Sequence, residues 1–134
     1  MSTLAEIEGI GPVYARKLQK AGVRGTNGLL KQAGTSKGRR ELAAKSGFTT
    51  RRLLEWVNRA DLFRVRGVGS EYSDLLEGSG VDTVRELAKR DPVKLYNTLL
   101  QVNAKKKLVR QVPALKLVRA WVRQAKSLPT MVTY

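Results

Sequence analysis

The chain has 134 residues, 42% of them apolar, which is room for one compact domain or two small ones and too much apolar content for intrinsic disorder. Twenty-six Lys and Arg stand against eleven Asp and Glu, a net charge of +15, so the chain is drawn to a polyanion or an anionic surface. It has no Cys and no His, which excludes disulfides, thiolate or imidazole metal sites and every His-dependent catalytic triad.

Met1 to Gly11 hold acids and glycines where a signal peptide needs a basic head and an apolar stretch, and no window approaches the roughly 18 apolar residues of a membrane span. The expectation is a soluble cytoplasmic protein with no membrane partner. The charge is unevenly spread. Residues 1–64 carry thirteen bases and five acids, residues 65–91 four bases and six acids, and residues 92–134 nine bases and no acid. Asp91 is the last carboxylate, so the C-terminal third repels itself unless an outside anion neutralises it.

In chain order the elements read as short helices with Gly-punctuated connections and no sustained two-residue alternation. Residues 12–21 open on Pro12 and stop before Gly22, the usual asymmetry of Pro at helix starts and Gly past helix ends. Thr49 and Thr50 start a helix through Ala60, and residues 70–79 repeat the first helix. Asp82 and Thr83 cap a helix through Lys89, and Asp91-Pro92 opens another through about Val102. In the last helix Leu115, Val118, Trp121, Val122 and Ala125 fall on one side, while Lys116, Arg119, Arg123 and Lys126 fall on the other.

The chain repeats itself. A shift of 58 positions lays Ile7 on Val65, Gly9 on Gly67, Gly11 on Gly69, Tyr14 on Tyr72, Leu18 on Leu76, Gly22 on Gly80 and Leu29 on Leu87. Further along, Trp56-Val57 and Ala60 match Trp121-Val122 and Ala125 at a shift of 65, which leaves 65 − 58 = 7 extra residues inside the second copy. The expectation is an all-α protein of two fused, internally duplicated units, residues 1–64 and 65–134, each with four or five helices and a buried tryptophan.

The stretch from Ile7-Glu8-Gly9-Ile10-Gly11-Pro12 through Gly22-Val23 resembles a helix-hairpin-helix motif, as does Val65-Arg66-Gly67-Val68-Gly69 through Gly80-Val81. Residues 40–60 and 95–125 look like degenerate second hairpins. With Trp56-Val57-Asn58-Arg59-Ala60-Asp61-Leu62 and the terminal Leu128-Pro129 to Val132-Thr133-Tyr134, the chain is similar to a bacterial family of tandem helix-hairpin-helix proteins catalogued as a domain of unknown function. The resemblance implies SAM-like helical bundles. It also implies paired hairpins that grip the DNA backbone along the minor groove without reading sequence and sometimes hold a monovalent cation on turn carbonyls.

The residues themselves support a phosphate contact at the first turn. Glycines let the backbone turn tightly with exposed amides, and those amides converge with a helix start on one spot that suits an anion. Gly9, Ile10 and Gly11 with Arg16, Lys17 and Lys20 form this first candidate site. The second hairpin carries Glu71, Asp74, Leu75 and Gly78 at the positions of Val13, Arg16, Lys17 and Lys20. Its carboxylates suit their own helix dipole and repel a phosphate, so it reads as structural, or as a docking patch for a protein partner. Two further basic groups could follow a phosphate backbone: Lys37, Arg39, Arg40, Arg51 and Arg52, and then Lys105, Lys106, Lys107, Arg110, Lys116, Arg119 and Arg123.

Helix-hairpin-helix glycosylases and lyases place a catalytic Lys at the hairpin and an Asp further on. Here Val13 or Ser70 occupies that neighbourhood, and no carboxylate cluster suggests a metal site. The reading is therefore no enzyme, no metal and no cofactor. It is a monomer that binds nucleic acid, duplex DNA ahead of RNA, through backbone contacts, and is nucleoid-associated if DNA is the ligand. A helical adaptor between proteins is the alternative.

Overall fold

The computed structural model describes residues 3–134; Met1 and Ser2, counted in the first expected unit, lie outside the described residues. The chain is all-α, with eight α-helices, a single turn of 3-10 helix and no strand among the described residues. None of these helices is long and apolar enough to cross a membrane. The chain divides into two units, Met1–Asp61 with Thr130–Tyr134, and Leu62–Pro129. Against the expected division at 64/65, the boundary falls at 61/62 and the last five residues go with the first unit.

The first unit holds the 3-10 turn Leu4–Glu6, α1 (Pro12–Lys20), α2 (Gly25–Ala33), α3 (Ser36–Ser46) and nearly all of α4 (Thr50–Leu62). Each boundary has a local cause. Pro12 starts α1, and Gly22 closes it at φ +94, with the Val23 N–H donating to Leu18 O at 2.9 Å. The Thr35 hydroxyl accepts the Gly38 N–H at the start of α3, and Gly47 ends that helix at φ +81. The Thr49 hydroxyl accepts the Arg52 N–H at 3.1 Å and so caps α4. Leu18, Val23, Leu29, Leu42, Leu53, Trp56 and Val57 are buried within this unit. The tail joins it through buried Val132 and through the Thr133 N–H, which donates to Gly34 O at 2.9 Å.

The second unit holds α5 (Ser70–Gly78), α6 (Val84–Ala88), α7 (Pro92–Lys106) and α8 (Leu115–Ser127). The Thr83 hydroxyl caps α6, and the Asp91 carboxylate caps α7 by accepting from the Val93 and Lys94 N–H groups. α6 and α7 pack on α8, and α5 packs on α7. Trp121, Leu75, Leu76, Leu87, Leu95 and Leu99 fill the centre. α7 runs past its expected end at Val102 and stops at Lys107, a non-glycine residue in the left-handed region at φ +50. Eight residues separate α7 from α8 where three separate α3 from α4, so 8 − 3 = 5 of the seven extra residues lie in that connection. The Asn103 amide holds that connection, donating to Val109 O at 3.2 Å while accepting the Val109 N–H at 3.0 Å.

Several backbone hydrogen bonds recur 58 residues apart, the spacing between Gly9 and Gly67. Ile10 N–H to Ile7 O and Val68 N–H to Val65 O both measure 3.1 Å, and Ala15 N–H to Gly11 O and Ser73 N–H to Gly69 O both measure 2.9 Å. Val23 N–H to Leu18 O and Val81 N–H to Leu76 O both measure 2.9 Å. Even the side-chain brace on the closing glycine is matched, by Gln32 donating to Gly22 O and Arg90 donating to Gly80 O.

Candidate nucleic-acid interface

The first glycine turn is pinned from below and open above. Ile7 and Ile10 are buried, whereas Gly9 and Gly11 are exposed. Gly9 sits at φ +92, and a Cβ there would approach Trp56 Nε1 to 3.3 Å, so both the backbone conformation and the indole demand glycine. Gly11 is the N-cap of α1 and has no side-chain cap. A Cβ at Gly11 would meet no atom within 4 Å, so the uncapped first turn of α1 opens on free space. That leaves its amide donors and the positive end of its dipole available to an anion.

Cations stand along the helix that leaves this turn, with Lys17 and Lys20 in its last turn. Arg16, Lys17 and Lys20 on α1 are exposed. Beneath them Tyr14, Phe48 and Trp56 form an aromatic cluster with ring centroids 4.8 to 5.9 Å apart. Lys17 Nζ lies 5.3 Å over the Phe48 ring, and the Arg52 guanidinium lies 5.5 Å from the Tyr14 ring and 5.9 Å from that of Trp56. Arg52 also donates to Tyr14 Oη at 3.3 Å. Each such exposed cation–π contact contributes on the order of 0.5–1 kcal/mol, enough to bias where the charge rests. In sequence Arg52 groups with Arg51. The structure brings Arg52 to the glycine turn through Trp56 and Tyr14. Nothing in the sequence singled out Phe48, the ring that receives Lys17.

The second glycine turn repeats the backbone and discards the cations. Gly67 lies at φ +89, where a Cβ would approach Trp121 Nε1 to 3.2 Å and Leu117 Cδ1 to 3.5 Å. Gly69 is again an N-cap without a side-chain cap and with open space around it. Tyr72 packs against Trp121 at a tilt of 59°, with ring centroids 5.2 Å apart. Leu117 now holds the third position of its helix, where Arg52 stands in α4, and fully buried Leu75 replaces Lys17. Exposed Glu71 lies in the first turn of α5. The Arg66 N–H is taken by Gln124 Oε1 at 2.7 Å.

Both turns fall within the span that matches a family model, described as Domain of unknown function (DUF4332), over residues 8–128. The chain belongs to the DUF4332 family. No curated protein and no solved structure matches it.

Elsewhere in this DUF4332 chain the expected basic groups separate. Lys37, Arg40 and Arg51 are exposed, with Arg40 donating to Ser36 Oγ at 2.9 Å and Arg51 lying 4.0 Å from Glu55. Arg39, expected beside them on the surface, is instead 5% exposed. Its guanidinium donates to Ala33 O at 3.1 Å, Gly34 O at 2.8 Å and Thr133 O at 2.6 Å. A run of bases in the sequence cannot reveal that one member is spent on carbonyls of a helix end and of a tail 94 residues away. In the second unit Lys105, Lys106, Lys107 and Arg110 are exposed at and after the end of α7. Lys116, Arg119 and Arg123 line the outer face of α8, opposite buried Val118, Trp121, Val122 and Ala125.

Proposed function

We propose that this DUF4332 protein binds nucleic acid, duplex DNA foremost, by contacts to backbone phosphates with little sequence preference, and that the first glycine turn is the centre of the contact. The observation that carries this reading is the pairing of an open, uncapped helix start at Gly11 with Arg16, Lys17, Lys20 and the aromatic-seated Arg52. Amides and a helix dipole alone favour an anion weakly; guanidinium and ammonium groups along the same helix and on α4 add the charge that suits a run of phosphates. Both turns read as helix-hairpin-helix elements of a duplicated chain, a reading supported by the hydrogen bonds that recur in register. The exposed bases of α7, its following connection and α8 give the second unit a basic surface of its own that suits a phosphate backbone. Because no exposed aromatic ladder or groove-reading helix is required, the specificity is for backbone rather than bases.

The test is a titration of the protein against duplex DNA, single-stranded DNA and structured RNA at several salt concentrations. Neutralisation of about six phosphates gives a slope of log K against log[salt] near −5, with little change between duplex sequences. A slope near −1, or affinity for one duplex sequence alone, refutes the reading.

A further inference from the structure

Large apolar side chains that stand exposed are few among the described residues: Val13, Val93, Leu100, Leu108 and Tyr134. Two of them share one helix face. Val93 and Leu100 both belong to α7 and are 42% and 38% exposed. By the helical turn of about 100° per residue, Val93, Leu100 and exposed Ala104 fall within about 40° of one another, with exposed Asn97 beside them. Buried Leu95 and Leu99 and half-buried Val102 lie on the opposite side, and α7 packs on α5 and α8. Cations keep to one margin of the outer stripe. Exposed Lys94 and Lys105 lie about 100–120° round from Val93, while half-buried Tyr96 bounds the other margin. Asp91 is engaged in capping α7, and no carboxylate follows it in the chain. A phosphate backbone calls for the cations alone. An apolar stripe with a basic margin suits a partner that carries both chemistries.

We propose that the outer face of α7 docks an acidic amphipathic helix of another protein. The apolar side chains of that helix rest on Val93, Leu100 and Ala104, and its Asp or Glu side chains run along the Lys94 and Lys105 margin. These lysines are 105 − 94 = 11 residues apart, about 16 Å along the helix, so the carboxylates they meet stand about three turns apart. Ala104, with its single side-chain carbon, lets the partner helix come close. Charge selects this occupant. A second copy would set lysines against lysines, with Asp91 the one carboxylate that α7 and its cap contribute. A nucleic-acid backbone would satisfy the lysines and leave the stripe in water. A helix lying in a bilayer surface exposes a broad apolar face with Trp, Phe or Leu, whereas α7 turns its broader apolar face inward and shows a narrow stripe with one leucine. Neither glycine turn is used, so the proposal stands apart from the duplex-binding reading.

The experiment titrates the full chain with a synthetic four-turn helical peptide that carries Leu along one face and Glu along its margin. A scrambled peptide of the same composition and an isomer with Lys in place of each Glu are the comparisons, read by fluorescence anisotropy and amide NMR. The acidic amphipathic peptide should bind at least about tenfold more tightly than either, and should shift the amides of Val93, Asn97, Leu100 and Ala104. Val93→Ser with Leu100→Ser alters exposed positions and should weaken binding about tenfold, with circular dichroism unchanged. Lys94→Gln with Lys105→Gln should weaken it about fivefold, as two exposed ion pairs allow. Lys116→Gln with Arg119→Gln removes the same charge from the outer face of α8 and should leave affinity within about twofold. Equal binding of the peptide and its scramble, equal loss in the two charge variants, or amide shifts confined to other helices overturns the proposal. Binding to anionic phosphatidylglycerol vesicles that Val93→Ser with Leu100→Ser abolishes also overturns it, by assigning the face to a lipid surface. A dimer in sedimentation that the same variant dissolves overturns it in favour of a second copy. No nucleic acid enters the test, so its failure and that of the duplex-binding reading are separate results.

Discussion

Replacing Arg39 by Leu tests the most consequential departure of the structure from the sequence. The side chain is 5% exposed and serves three carbonyls. Their fates differ when the guanidinium goes. Ala33 is fully buried, so its carbonyl loses a charge-assisted donor with no water to replace it, at about 1–3 kcal/mol. Gly34 O keeps the Thr133 N–H at 2.9 Å. Thr133 is exposed, so its carbonyl rehydrates at small cost. The leucine recovers some stem packing and spares the desolvation of a buried charge, while losing the tie between tail and helix end. The net destabilisation of the first unit should be about 2–4 kcal/mol.

Native-state hydrogen exchange is the suitable assay, because it reads α2, α3 and the Thr133 amide separately. Arg39→Leu should accelerate exchange at Thr133 first and most, and at α2 and α3 by the full loss. Arg39→Lys should recover less than half, since one ammonium cannot span three carbonyls held by a planar fork. Arg40→Gln, at an exposed neighbour, should cost under about 0.5 kcal/mol. The reasoning fails if Arg39→Leu costs less than about 1 kcal/mol while lowering duplex affinity as much as Arg40→Gln does, for then Arg39 is a surface contact after all.

Three further outcomes follow from the same geometry. Arg16→Glu with Lys17→Glu should reduce duplex affinity at least about tenfold at moderate salt and flatten the salt slope by about two, with helical content by circular dichroism unchanged; unaltered binding would move the contact to the second unit. Lys107→Gly should raise the stability of the second unit by about 0.5–1 kcal/mol in urea titration, because Lys107 holds φ +50 without glycine's freedom; a loss would mean that the Lys107 side chain makes a stabilising contact. Trp121→Ala should cost on the order of 3–5 kcal/mol, whereas Trp121→Phe should cost under about 1.5 kcal/mol, since the buried Nε1 has no hydrogen-bond partner to lose.

Much of the helical plan was legible because its signals are local. Pro12, Thr49, Thr83 and Asp91 each mark a helix start that the structure places at or next to them. The left-handed glycines at 9 and 67 and at 22 and 80 stand 58 residues apart, so the two turns are visible in the sequence as glycine spacings. What escaped was set by long-range packing. α2 begins after Arg24 with no side-chain cap, so no cap residue announces it. The docking of the tail depends on the absence of a side chain at Gly34, where a Cβ would collide with Met131 O, and on an arginine that reads as one base among several. The path of α7 past Val102 depends on Asn103 clasping a connection whose residues carry no helical or turn signature.

The two glycine turns show how one backbone can be committed to different work by side chains outside it. At the first, the space over the tyrosine and tryptophan is taken by Arg52, with Lys17 seated on Phe48 nearby. At the second, the matching positions hold Leu117 and Leu75, and buried Pro113 stands where Phe48 would. The leucines convert a surface that must stay hydrated around its cations into apolar area removed from water, at about 25 cal/mol per Å². Glu71 then stabilises the start of α5 through the helix dipole, with no opposing need to admit an anion. A unit that builds its core this way has no cation seated over its own turn. Its bases instead stand on the outer face of α8 and beyond the end of α7. There the absence of every carboxylate after Asp91 leaves their field uncancelled by any neighbour in sequence.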